Sequence, residues 1–123
     1  MLLKDFYEIT SFEKTEGQKY VAHIIINKSH DVFKGHFPGN PVTPGVCMMQ
    51  IIKELTQQAV NAQLMMKSAS NIKFMALINP EVNPELKLEL EITEAEDASV
   101  KVKNTTYFED TTALKLSCIY SKN

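Results

Sequence analysis

His36 lies in a run whose composition fixes the backbone around it: Gly35-His36-Phe37-Pro38-Gly39-Asn40-Pro41-Val42-Thr43-Pro44-Gly45-Val46, passing at once into Cys47-Met48-Met49. The run holds three of the five prolines and three of the four glycines. The prolines set φ, and the glycines are free for turns or close backbone approach. Phe37, Asn40 and Thr43 each precede a proline and are expected to be extended, so the chain turns helical only from Pro44. A stiff loop that carries one histidine and ends at a helix N-terminus holds a proton acceptor in a defined place. Imidazole suits that task because it titrates near neutrality, at about pKa 6.5. The other two histidines have no such setting: His23 falls inside a strand-like run, and His30 follows the polar segment Asn27-Lys28-Ser29.

The elements that must position this loop follow from periodicity. Thr43 is expected as N-cap and Pro44 as the first helical residue of a helix reaching about Asn61 or beyond. Val46, Cys47, Met48, Met49, Ile51, Ile52, Leu55, Ala59 and Val60 cover most of its circumference, which predicts a largely buried helix. Its polar residues form one stripe, Gln50, Lys53, Glu54, Gln57 and Asn61. That stripe reads as a solvated face, with Gln50 set apart by its nearness to the loop. Strands are expected over 6–14 and 20–26 on either side of Glu16-Gly17-Gln18, and over 72–78, broken by Asn79-Pro80. Residues 86–92 alternate, with Leu86, Leu88, Leu90 and Ile92 on one face. Val100-Lys101-Val102-Lys103 answers across a turn at 94–99, where its lysines would face Glu89 and Glu91 for tenths of a kcal/mol to about 1 kcal/mol each. A last hairpin turns at Glu109-Asp110-Thr111, with Leu114, Leu116, Cys118 and Tyr120 inward. Two strands, a helix and four strands predict an α+β fold, a curved antiparallel sheet wrapped around one long central helix.

Composition removes several function classes. The 123 residues make one domain, 1–123, large enough for a core without staples. Thirteen basic and fifteen acidic residues with no basic cluster argue against a nucleic-acid surface. No apolar run reaches membrane-spanning length, and Met1-Leu2-Leu3-Lys4-Asp5 is not followed by a signal-peptide core, so the cytoplasm is the expected compartment. Cys47 and Cys118 lack metal-ligand spacing and read as buried free thiols.

The element order, together with His36-Phe37-Pro38-Gly39-Asn40-Pro41-Val42-Thr43-Pro44-Gly45-Val46, resembles the hotdog-fold beta-hydroxyacyl-acyl-carrier-protein dehydratases of fatty acid synthesis. H-F-P-G-x-P-V-x-P-G-V is an unusual pattern, and a looser likeness extends from about residue 30 to about residue 86. The resemblance implies a hotdog fold and elimination of water from a beta-hydroxyacyl thioester to give a trans-2-enoyl thioester. His36 would then be the base, and the Gly45 amide, at the positive end of the helix dipole, would stabilise the thioester oxygen. The family places a carboxylate fourteen positions after the histidine; here that residue is Gln50, which hydrogen-bonds but cannot donate a carboxylic proton.

Three ways of completing the acid–base pair stand open. Glu54, one turn further along the stripe, would act through a water; protonated His36 would return its proton to the leaving group; or a second dehydratase-like chain would bring the carboxylate, since the family builds each site from two subunits. The resemblance implies a homodimer or heterodimer, or a higher oligomer, and an apolar acyl channel for which Phe37, Val46, Met49 and Phe74 are candidate lining residues. It implies an acyl-carrier-protein or coenzyme A thioester as substrate, with no metal and no organic cofactor. Two other readings remain: a hotdog acyl thioesterase using Gln50 and Glu54, and a non-catalytic acyl-binding or partner subunit.

Overall fold

The computed structural model describes residues 5–35, 39 and 41–122. Its elements are β1 (Tyr7–Lys14), β2 (Lys19–Ile26), a single helical turn α1 (Val32–Gly35), α2 (Gly45–Val60), β3 (Leu64–Phe74), β4 (Glu85–Glu94), β5 (Ser99–Phe108) and β6 (Thr111–Lys122). The six strands form one antiparallel sheet in the order β1-β2-β4-β5-β6-β3, so β1 and β3 are its edges.

The alternating strands fix which face of the sheet meets the helix. Leu86, Leu88, Leu90 and Ile92 on β4, Val100 and Val102 on β5, and Leu114, Leu116, Cys118 and Tyr120 on β6 are all buried. They join Cys47, Met48, Ile51, Ile52 and Leu55 of α2 in one core. Each such aliphatic side chain contributes about 1.5–3 kcal/mol on burial. The sheet is thus wrapped around α2 as the hotdog arrangement requires. Polar groups inside the core are largely paired: Thr56 Oγ1 donates to the Ile52 carbonyl at 2.7 Å, and Thr106 Oγ1 donates to Asn104 Oδ1 at 3.0 Å. Cys47 and Cys118 are buried free thiols, and burial pushes both above the ordinary thiol range.

The structure corrects the sequence reading in four places. Pro44, not Thr43, is the N-cap of α2; its φ of −61° and ψ of 143° are extended, and no side chain caps the helix. Only one face of α2 is buried, since Val46 is 66% exposed and Met49 half-buried. β3 begins at Leu64 and ends at Phe74, well before Ile78. Bulges between Met66 and Ser68 and between Ser70 and Lys73, with Asn71 at φ +53°, break the alternation that would have marked it. Glu91 does lie opposite Lys103, but Glu89 faces Thr105 and takes its contacts from Lys87 at 3.5 Å and the Tyr107 hydroxyl at 3.1 Å.

Candidate functional site

The start of α2 is built to leave amides bare. The Pro44 carbonyl accepts from the Cys47 and Met48 amides at 3.0 and 3.2 Å, which closes the first turn. The Gly45 and Val46 amides precede those donors and have no partner among the described residues. Thr43, where a capping hydroxyl was expected, instead donates its backbone N–H to the Ile78 carbonyl at 2.8 Å, tying the loop to the segment after β3. Its buried Oγ1 finds no partner among the described residues. The helix therefore begins with donors left unsatisfied among the described residues, at the positive end of its dipole.

Glycine at position 45 makes room for an aromatic ring. A Cβ placed there would stand 2.6 Å from Cζ of Phe74, so the phenyl ring occupies the space a side chain would need. Phe74 remains 58% exposed on its other side. Together Gly45, Thr43, Met48, Phe74, Met75 and Leu77 help to line an open apolar cleft of about 350 Å³ beside the helix start. Of the expected channel residues, Phe74 lies in this cleft; Val46 faces outward and Met49 packs against the core instead.

Gln50 and Glu54 form a second cluster on another flank of the same helix. Five residues on from Gly45 corresponds to a rotation of about 140°. Gln50 Nε2 donates to Glu54 Oε2 at 2.9 Å, and the Tyr7 hydroxyl at the start of β1 donates to Glu54 Oε1 at 2.7 Å. All three side chains are half-buried. Burial, and then the Glu54 carboxylate, push the Tyr7 phenol well above its ordinary value, so it stays protonated and remains a donor. The stripe is thus not simply solvated: Gln57 is also engaged, its Oε1 accepting from the Leu64 amide at 2.9 Å. Tyr7 was not anticipated; it lies 47 residues from Glu54, and no spacing rule joins a strand residue to a helix residue at that distance.

His36 and Phe37 lie outside the described residues, as do Pro38 and Asn40. The neighbouring Gly39 has φ +74°, a backbone region that glycine enters without steric cost. His23 is exposed, its Nδ1 2.9 Å from Ser11 Oγ, and His30 packs edge-on against the Phe6 ring. Both are accounted for by structure.

Comparison with known proteins places this geometry in context. A family model described as ApeI-like, ApeI dehydratase, matches residues 12–113. The 3-hydroxyacyl-(acyl-carrier-protein) dehydratase FabZ of Clostridium acetobutylicum is 30% identical over 99 residues, covering 75% of this chain and 66% of that protein. The chain thus spans just under two thirds of the length of that relative. Among solved structures, the dehydratase heterocomplex ApeI:P from Xenorhabdus doucetiae matches with a TM-score of 0.69 at 20% identity, covering 94% of this chain and 97% of that one. The putative thioesterase yhdA from Lactococcus lactis matches with a TM-score of 0.74 at 13% identity, covering 99% and 97%. These two structural likenesses establish the hotdog fold, which dehydratases and thioesterases share.

Proposed function

The chain belongs to the ApeI-like dehydratase family, and from that premise we propose that it eliminates water from a beta-hydroxyacyl thioester carried on acyl-carrier protein or coenzyme A. What carries the reading is the H-F-P-G-x-P-V-x-P-G-V run ending at an uncapped helix start beside an apolar cleft. In this reaction His36 removes the α-proton. The thioester oxygen gains negative charge and is stabilised by the Gly45 amide, a donor aimed where charge develops. The Cα–Cβ double bond forms as the Cβ–O bond breaks, and the departing hydroxide is protonated to water. The acyl chain lies in the apolar cleft against Phe74, and the pantetheine arm belongs to the substrate.

The site is completed by a second chain. In one chain the bare amides and the Gln50–Glu54 pair lie on different flanks of α2, so a single copy does not gather both around one substrate. β3 supports such an assembly: it is an edge strand whose Met65, Ile72 and Phe74 are exposed, and it leads into exposed Met75 and Leu77. The partner is a copy of this chain or a dehydratase-like chain that brings a carboxylate to His36.

The test follows two products from a beta-hydroxyacyl thioester: enoyl thioester and free thiol. Enoyl formation that disappears in His36→Ala supports dehydration, and an undiminished rate in that variant refutes the assignment of the base. Thiol release supports the alternative of thioester hydrolysis, which the Gln50–Glu54 pair favours because an amide beside a carboxylate can hold a water. Neither product, with or without a co-expressed dehydratase-like chain, would identify an acyl-binding subunit.

A further inference from the structure

Position 50 carries no acidic proton to give, yet its side chain is held by Glu54, which Tyr7 holds in turn. A carboxylate only accepts hydrogen bonds. Both Glu54 oxygens are engaged, Oε1 by the Tyr7 hydroxyl at 2.7 Å and Oε2 by Gln50 Nε2 at 2.9 Å. Because Oε2 needs a donor, the Gln50 amide must turn its nitrogen to Glu54. Its Oε1 is thereby the end left for another partner, and that oxygen accepts no hydrogen bond among the described residues. Without Tyr7, Glu54 would have a free oxygen and a new choice of rotamer, and the amide would lose its fixed sense.

The geometry points to Tyr7 as a positioning residue that acts through Glu54 to present Gln50 Oε1 as a hydrogen-bond acceptor for the β-hydroxyl of the substrate. This rests on the dehydratase reading and deepens it. The substrate hydroxyl donates a hydrogen bond to Gln50 Oε1 and keeps its proton, which orients the Cβ–O bond. The proton that completes the departing water is then the one His36 took from Cα: the Cα–H and Cβ–O bonds break, the Cα–Cβ π bond forms, and imidazolium hands its proton to hydroxide and returns to neutral imidazole. Atoms and charge balance without a second acid. Glu54 accepts from Tyr7 and Gln50 and takes no part in the proton transfer.

The test uses two stable pantetheine amides, one bearing a β-hydroxyacyl chain and one the same chain without the hydroxyl, bound to the full-length protein in its native assembly. Wild type is expected to prefer the hydroxylated ligand about tenfold. Tyr7→Phe is expected to remove that preference while leaving affinity for the plain acyl ligand within about twofold. Merely structural damage would weaken both ligands together, and that result, or a preserved preference in Tyr7→Phe, would overturn the assignment. The side-chain amide signals of Gln50, followed by NMR without ligand, supply the independent arm. They are expected to move in Tyr7→Phe and in Glu54→Gln alike, and unmoved signals in Tyr7→Phe would refute the coupling. If wild type binds neither amide while the Gln50 signals still respond to Tyr7→Phe, the dehydratase reading fails and the positioning contact stands without a β-hydroxyl to serve.

Discussion

Phe74 lies across Gly45 so closely that the ring and a methyl group at position 45 exclude one another, with 2.6 Å between Cζ and an ideal Cβ. The ring belongs to an exposed edge strand and is free to move, so the exclusion costs the fold little and the cleft much. Gly45→Ala is expected to shift the melting temperature by less than about 5 °C, because alanine's better helix propensity offsets the ring displacement. Enoyl formation is expected to drop at least about tenfold, which is about 1.4 kcal/mol of transition-state stabilisation. Phe74→Ala in the same chain should restore part of it. A double-mutant cycle measures that coupling; strictly additive losses would show that the ring and the glycine do not act as a unit.

Gln50→Glu places a second carboxyl within hydrogen-bonding reach of Glu54. Two carboxyls that close cannot both ionise freely, so the pair retains a proton to a higher pH than either alone. A retained proton on this flank supplies the acid that the wild-type amide lacks. Single-turnover assays near neutral pH are expected to show faster dehydration by about 10²-fold, the lower end of what a positioned general acid contributes. The variant's stability is expected to decline as pH rises and the shared proton is lost.

The exposed outer side of β3 makes the assembly testable without substrate. Ile72→Lys and Met65→Lys put charges along an unpaired strand edge at positions already exposed in the single chain. Neither should unfold the monomer. Sedimentation is expected to show wild type as a dimer and the double variant as a monomer, with enoyl formation lost alongside.

Two phenols, Tyr120 buried and Tyr7 half-buried, bear on stability at alkaline pH. Tyr7 and Tyr120 are both held above the usual tyrosine range, chiefly by burial; Glu54 adds to the effect at Tyr7 and Cys118 at Tyr120. The folded state therefore keeps protons that the unfolded chain gives up from about pH 10. Their contribution is complete below that pH and falls as pH rises beyond it. Melting temperatures recorded from pH 8 to 11 should bend downward near 10, less steeply in Tyr120→Phe. Removing that hydroxyl, which is buried without a hydrogen-bond partner among the described residues, should also leave neutral-pH stability unchanged or higher by about 1 kcal/mol.

Much of the scaffold was legible where one periodicity ruled. The alternation from Leu86 to Ile92 placed β4 and its inward face, and Leu114, Leu116, Cys118 and Tyr120 did the same for β6. β3 escaped because its bulges interrupt the alternation and its edge position leaves most of its residues exposed, so burial writes no pattern into Leu64–Phe74. Val46 misled for a related reason: an apolar residue on the first turn can face a partner or a ligand as readily as a core. Gly45 and Gln50 were picked out by the loop motif, but what they touch was not. The Phe74 ring reaches Gly45 across 29 residues of chain, and the Tyr7 hydroxyl reaches Glu54, the partner of Gln50, across 47, distances at which only the folded sheet decides who meets whom.

Pro44 gives α2 its beginning without a hydroxyl or carboxylate folded over the first turn. Side chains that perform that service elsewhere are worth about 1 kcal/mol to a protein. Among the described residues that post is vacant, and in the proposed reaction the carbonyl oxygen of the thioester takes it. Ligand and fold should accordingly reinforce one another: an acyl pantetheine amide ought to raise the melting temperature and slow hydrogen exchange at the Gly45 and Val46 amides first, as if the guest were the helix's own missing residue.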